Sequence, residues 1–278
     1  MAEASYGNTT EVKDNWIDSV LAFAHNASID PRGAITPVAR YGPLVGRSYD
    51  STLFYNGNDS SPAVLNDFLG GKITPTNSSS IFGGGADSNT ALVEMSVADY
   101  GALSRTAFEP GGAANGFRQR FHVYPCKATK EAMNIVHDTY FETAESMLSN
   151  VTGVFTGLAW NPITESFINA TNSGIGSPLN PTEVASFWTE ESLTWENAAD
   201  DAVIENFLET VNANITAQLT AINSTASFLY LNDADEDQNV FATYPAANLQ
   251  RLKDIRDKYD PDMVYTNLMP GGFKVASA

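Results

Sequence analysis

Residues 33–55 read GAITPVARYGPLVGRSYDSTLFY, and this stretch decides the fold. Gly33 to Tyr41 and Gly46 to Tyr55 are both strand-like, and the turn signal Gly42-Pro43 joins them as an antiparallel pair. On the N-terminal side, Thr10 to Ala27 has the period of an amphipathic helix, with Val12, Trp16, Val20, Leu21, Phe23 and Ala24 on one side. On the C-terminal side, Pro62 to Leu69 reads as a short helix ended by Gly70-Gly71, and Thr74 to Asn89 as a Ser/Gly/Asn-rich loop. A helix over Leu92 to Ala107, with Leu92, Met95, Val97 and Leu103 facing inward, precedes a strand over Phe117 to Tyr124. A long helix from Lys130 to Leu148, a strand from Val154 to Trp160 and a polar loop from Asn161 to Pro181 follow. Ala185 to Trp195 returns to strand. Ala199 to Ile222 is a second long helix, whose stripe is Val203, Ile204, Phe207, Leu208, Val211, Ile215 and Leu219. Ser227 to Leu231 reads as a last strand. Strands separated by long helices can also signal a parallel sheet. The early hairpin and the half-polar alternation of the strands favour an α+β fold instead: one domain over residues 1–278, a large, mostly antiparallel sheet with helices packed on one face.

Composition narrows the function classes. In 278 residues, 15 Lys and Arg stand against 33 Asp and Glu, a formal charge of −18, which argues against nucleic acid and anionic membranes. No apolar run approaches the length of a membrane span. The single cysteine, Cys126, allows no internal disulfide and no cysteine-based metal cluster. Sequons at Asn8, Asn26, Asn58, Asn77, Asn150, Asn169, Asn214 and Asn223 point to passage through the secretory pathway, although MAEASYGN is no signal peptide.

The tail, residues 245–275, reads PAANLQRLKDIRDKYDPDMVYTNLMPGGFKV. Leu249, Leu252, Ile255 and Tyr259 recur at helical spacing between Pro245 and the stop at Asp260-Pro261. Met263, Val264 and Tyr265 read as a short extended piece, and Pro270-Gly271-Gly272 as a turn. The wording NLQRLKDIRDKYDPDMVY followed by PGGFKV resembles the C-terminal segment of berberine-bridge-enzyme-like FAD-linked oxidases, above all the fungal ones. The resemblance extends from about Asp14 to Val275. It implies that family's substrate domain, an antiparallel sheet backed by helices, whose tail returns to pack on a separate flavin domain.

That family commonly holds FAD through a Gly-Gly-His context, but His25, His122 and His137 all lack a preceding Gly-Gly. The run Phe82-Gly83-Gly84-Gly85 has no convincing helix behind it to hold a phosphate. This chain alone is therefore expected to bind no FAD and to be colourless. The resemblance also implies an Asn-Tyr pair before the tail helix, which here is Asn232-Asp233, and its substrate loop becomes Asn172 to Ser177.

Alternation of Phe117 to Tyr124 puts Arg118, Arg120, His122 and Tyr124 on one face. That row is either a solvated outer face or the flavin-facing side of the sheet turned into a substrate cleft. In the second case Arg118 and Arg120 hold an anionic or enolic oxygen. His122 titrates near neutral pH. Arg120 and His122 are then the catalytic candidates, and Arg118, Tyr124, Trp160, Trp188 and Asn232 the substrate-binding ones; the tryptophans are otherwise core. Asp233, Asp235, Glu236 and Asp237 lack the spacing of a calcium loop, and no metal site is expected. Three functions remain open. The first is a flavin-free relative of the substrate domain that orients a reactive small molecule, such as a Diels–Alder-type cyclase of fungal secondary metabolism. The others are the C-terminal part of an FAD-dependent oxidoreductase, and a non-catalytic binding protein. A homodimer through Tyr259 to Phe273 is expected to cover the apolar tail.

Overall fold

A computed structural model describes residues 1–76, 91–106, 109–111, 115–173, 176–182 and 185–278. The 33–55 stretch forms the expected hairpin. β2 (Gly33–Gly42) pairs with β3 (Gly46–Tyr55) antiparallel, with Gly42 opposite Gly46 across a three-residue connection. Gly46 closes that turn at φ +73°, a conformation that glycine adopts without a Cβ clash.

Around this hairpin the sheet grows in the order β1-β3-β2-β5-β6-β4, with every neighbouring pair antiparallel. The added strands are β1 (Ala2–Tyr6), β4 (Arg118–Lys127), β5 (Phe155–Ile163) and β6 (Ser186–Trp195). β1 is an addition to the sequence reading. Its inward residues Ala2, Ala4 and Tyr6 are buried, but the two alanines give a weak hydrophobic alternation.

Three long helices cover one face: α1 (Thr10–Asn26), α3 (Lys130–Met147) and α5 (Asp201–Ala221). The shorter α2 (Val97–Thr106) lies between α1 and α3 in the chain, and α4 (Glu165–Thr171) after β5. Thr9 and Thr129 cap α1 and α3, their hydroxyls accepting from the amides of Val12 and Ala132 at 3.2 Å. Between helices and sheet, Trp16 stands edge-on to Trp160 with ring centroids 5.5 Å apart, and lies 5.3 Å from Tyr49. The Trp16 indole donates to Ser51 Oγ at 3.2 Å. His137 is buried there, with one ring nitrogen on Tyr49 Oη at 2.9 Å and the other on Asp138 at 2.7 Å. Cys126 is fully buried, and burial pushes its thiol up to about 12.

Several elements differ from the sequence reading. Met95 and Val97 are exposed rather than inward, while Leu92 is buried; the Leu103 side chain lies outside the described residues. Val203 is likewise exposed, leaving Ile204, Phe207, Leu208, Val211, Ile215 and Leu219 as the buried stripe of α5. Part of the loop expected over Asn161 to Pro181 is ordered into the end of β5 and α4. Ser227 to Leu231 is not a strand: after an isolated bridge between Cys126 and Thr225, the chain leaves the ladder. Phe228 and Tyr230 pack instead against Trp188, at 6.0 and 5.1 Å between ring centroids.

The tail helix forms as α6 (Ala246–Tyr259). Leu249 and Leu252 join a small second cluster with Val240, Phe241, Tyr244 and Phe273, but Ile255 and Tyr259 stay exposed. The extended piece expected at Met263 to Tyr265 is a helical turn, α7 (Val264–Leu268). Its cause is local: the Asp260 carboxylate accepts from the amides of Tyr265 and Thr266 at 3.3 and 3.2 Å. Acceptors there satisfy the unpaired N–H groups of a helix start.

Candidate functional site

The expectation that Arg118, Arg120, His122 and Tyr124 face away from the helices is corrected by the sheet register. These residues sit opposite Trp195, Leu193, Glu191 and Thr189 of β6, and the row lies toward α5. Tyr124 Oη donates to Thr216 Oγ1 of α5 at 2.9 Å. Arg118 forms a bidentate pair with Asp201 at 2.6 Å, at the start of α5. Arg120 forms another with Asp235, at 2.5 and 3.0 Å. Both guanidiniums border a cleft of about 400 Å³, together with Gln119, Phe121 and Asn232, but their forks are engaged by carboxylates of the chain itself.

His122 faces Glu191, Nδ1 to Oε2 at 3.2 Å, and Glu191 is fully buried with Asn212 Nδ2 donating to the same Oε2 at 3.0 Å. Burial works against the imidazolium, but the Glu191 carboxylate outweighs it and raises the His122 pKa. The row thus runs between sheet and α5 from the exposed Arg118–Asp201 pair at its rim to the buried Tyr124. Trp160 is also not a cleft wall: it is fully buried in the core against Trp16.

Trp188 and Asn232 both neighbour Tyr230, and each has partners that sequence reasoning missed. Period 2 sends Trp188, Glu190 and Ser192 of β6 to the sheet face opposite the long helices. Trp188 Nε1 donates to Asp233 Oδ2 at 3.1 Å, and Asn232 Nδ2 to the hydroxyl of Tyr230 at 3.0 Å. On this second face Glu190 is in register with Ala159, Val38 and Asp50 across three strands, and Gly157 with Ser192 and Arg40. Gly157, Ala159 and Ser192 make a floor of small residues, with Trp188 and Glu190 on one side. On the other side, Arg40 Nε holds Asp50 Oδ2 at 3.0 Å, and Ser5 Oγ donates to Asp50 Oδ1 at 2.6 Å. A Cβ on Gly157 would come within 3.2 Å of the Ala39 carbonyl oxygen, so the floor tolerates little more bulk.

Glu190 is the chemically unusual group here. Burial and repulsion by Asp233, only partly offset by Arg40, push its carboxyl up to about 7. Asp233 is itself raised by burial. An acid poised near neutrality can take up and release a proton at little cost, which is what general acid–base chemistry requires. A signal was present in the sequence. Glu190 and Glu191 are adjacent within a strand, so one carboxylate must go to each face of the sheet.

A six-stranded antiparallel sheet with helices packed on one face matches in fold the substrate domain of FAD-linked oxidases. No family profile matches the chain. The chain spans about half the length of the curated relatives that it matches over most of its own. It is 25% identical over 266 residues to the FAD-dependent monooxygenase prx3 of Penicillium roqueforti, covering 92% of this chain and 49% of that protein. It is 29% identical over 114 residues to the bifunctional solanapyrone synthase of Alternaria solani, covering 41% and 22%. In fold it is similar to 6-hydroxy-D-nicotine oxidase from Arthrobacter nicotinovorans, with a TM-score of 0.60 at 13% identity over 94% of this chain and 52% of that one.

FAD is the group these relatives imply, and the described residues do not fit it as a whole. The small-residue floor beside Trp188 could face a planar ring. A pyrophosphate needs backbone amides or free cations. The second face offers the carboxylates of Glu3, Asp50, Glu190 and Asp233, while Arg40 is engaged by Asp50. The Gly83 to Gly85 run lies outside the described residues.

Proposed function

We propose that this chain supplies the substrate side of an FAD-linked oxidoreductase active site that acts on a small molecule of fungal secondary metabolism. Glu190 is the proton acceptor, and the flavin is carried by a protein part beyond these residues. The observation that carries this reading is the Glu190 carboxyl on the second face, raised to about 7 and close to Trp188 and Asp233. Substrate lies over Gly157 and Ala159, against the Trp188 ring, and Glu190 removes a proton as the substrate is oxidised. This chain by itself is proposed to hold no flavin.

Cofactor-free cyclisation is the second reading, favoured by the poor fit of the acidic second face to a pyrophosphate. Deleting the gene in the source organism separates the two. An oxidoreductase leaves a precursor that differs from the lost product by two hydrogens or one oxygen, whereas a cyclase leaves an isomer of equal mass. An accumulated isomer, or an unchanged metabolite profile, would refute the oxidoreductase reading.

The described sequon asparagines Asn8, Asn26, Asn58, Asn150, Asn169, Asn214 and Asn223 are all exposed, and we extend the proposal to a secreted glycoprotein; Asn77 lies outside the described residues. No described helix is long and apolar enough to cross a membrane. Tyr259, Tyr265 and Leu268 are 70%, 66% and 75% exposed, an apolar tail that a second copy of the isolated chain is proposed to cover. Light scattering at micromolar concentration is then expected to give twice the 29.9 kDa chain mass after enzymatic removal of N-glycans, and more before it. A deglycosylated species of 29.9 kDa would refute the dimer, and no mass change on deglycosylation would refute the glycans.

A further inference from the structure

The free edge of β4 is not bare. Gln238 Nε2 donates to the Val123 carbonyl at 2.8 Å, and its Oε1 accepts from the Val123 amide at 2.9 Å. One side-chain amide thus takes the place of a neighbouring strand. The same Oε1 accepts from the Asp235 amide at 3.0 Å, and the Gln238 amide donates to the Asp235 carbonyl at 3.0 Å. Arg120 reaches the same loop from the helix side of the edge. Besides its bidentate pair with Asp235, whose side chain is only 6% exposed, it touches Asp237 at 3.3 Å and Glu205 of α5 at 3.7 Å. Two residues before Asp235 the loop delivers Asp233, which is bonded to Trp188 on the opposite face.

We propose that Arg120 and Gln238 form a strap that clamps the 232–238 loop to the edge of β4 and so holds Asp233 over the second face, beside Trp188 and toward Glu190. Arg120 is then a positioning residue. It acts at a distance, through the carboxylate at position 233, and touches nothing that lies on the second face. The proposal rests on the reading of that face as the substrate side. The physical reason for two anchors is torsional: one flexible glutamine side chain, though bonded twice to Val123, would let the loop swing, whereas a second, bidentate guanidinium anchor fixes its orientation as well. With Asp233 held, the charges facing Glu190 are Asp233 from the loop and Arg40 from β2, with Asp50 and Glu3 beyond Arg40.

The test follows the Glu190 carboxyl itself, by carbon NMR of the full chain labelled at glutamate carboxyls, with the resonance assigned by Glu190→Gln. Asp233→Asn is expected to increase the acidity of Glu190 about tenfold, one unit of titration midpoint. Gln238→Ala and Arg120→Ala are expected to move the midpoint in the same direction, and Arg120→Lys, which keeps the charge without the fork, by less. Arg120→Ala leaves Asp235 buried without its partner and can lose stability for that reason alone. Gln238→Ala and Arg120→Lys keep the test open if it fails to fold. A midpoint that shifts in Asp233→Asn but not in the folded strap variants would overturn the strap and leave the second-face reading standing. If Asp233→Asn itself leaves Glu190 unmoved, both fall.

Discussion

Trp160→Ala is expected to destabilise the protein by about 3–5 kcal/mol, a large part of the roughly 5–15 kcal/mol that holds a domain folded. Trp160 is fully buried, edge-on to Trp16 and near His137, whose ring is 6.3 Å away and nearly parallel to it. Truncation leaves an apolar cavity between sheet and helices that side chains held by Tyr49 and Ser51 cannot collapse into. Trp188→Ala is expected to cost much less, about 1–2 kcal/mol, because its ring lies on the half-covered second face and its indole bond is to a loop. Urea denaturation of both variants measures the difference. Equal losses would contradict the assignment of one tryptophan to the core and the other to the site.

Glu190→Gln is expected to separate stability from activity. A carboxyl whose folded pKa is raised keeps its proton where the unfolded chain has already lost it. Folding then takes up a proton, so stability falls as pH rises from the ordinary carboxylate range to about 7, and stays low above that. The full penalty, on the order of 3 kcal/mol, is reached well above pH 7, and below the ordinary carboxylate range it vanishes. Glutamine carries no charge to bury. The variant should therefore be more stable than the parent at pH 8 and no more stable at pH 4, read by thermal unfolding at the two values. Loss of a proton acceptor typically slows a reaction about 10²–10⁴-fold. In the source organism the Glu190→Gln allele is expected to reproduce the metabolite profile of the gene deletion. A variant with normal product formation would remove Glu190 from the chemistry, whatever its stability.

The fold was legible because its signals are local. Gly33 to Tyr55 announces an antiparallel hairpin by two strand-like runs and a turn, and the stripes of Trp16 to Ala24 and Ile204 to Leu219 announce helices with one buried side. What failed was also local in cause. The alanines of Ala2–Tyr6 are too small to mark a strand, and Ser227 to Leu231 has strand composition but no free ladder to join.

The site was less legible. Alternation correctly put Arg118, Arg120, His122 and Tyr124 on one side of a strand, but periodicity carries no information about which side the helices cover. Trp188 was singled out by residue type, and nothing in its own sequence neighbourhood distinguishes it from Trp160. The two differ by one step of strand register: Trp160 is paired with Thr189, and Asn161 with Trp188.

The sequence by itself determined that an antiparallel sheet would be backed by long helices, and that β6 would carry two adjacent glutamates on opposite faces. Only the tertiary structure decided that Glu191 meets His122 beneath α5 while Glu190 lies near Asp233 on the opposite face. Which carboxylate meets a histidine and which is pushed toward its protonated form depends on groups brought from 43 positions along the chain or more, a matter of loop placement that no local pattern encodes.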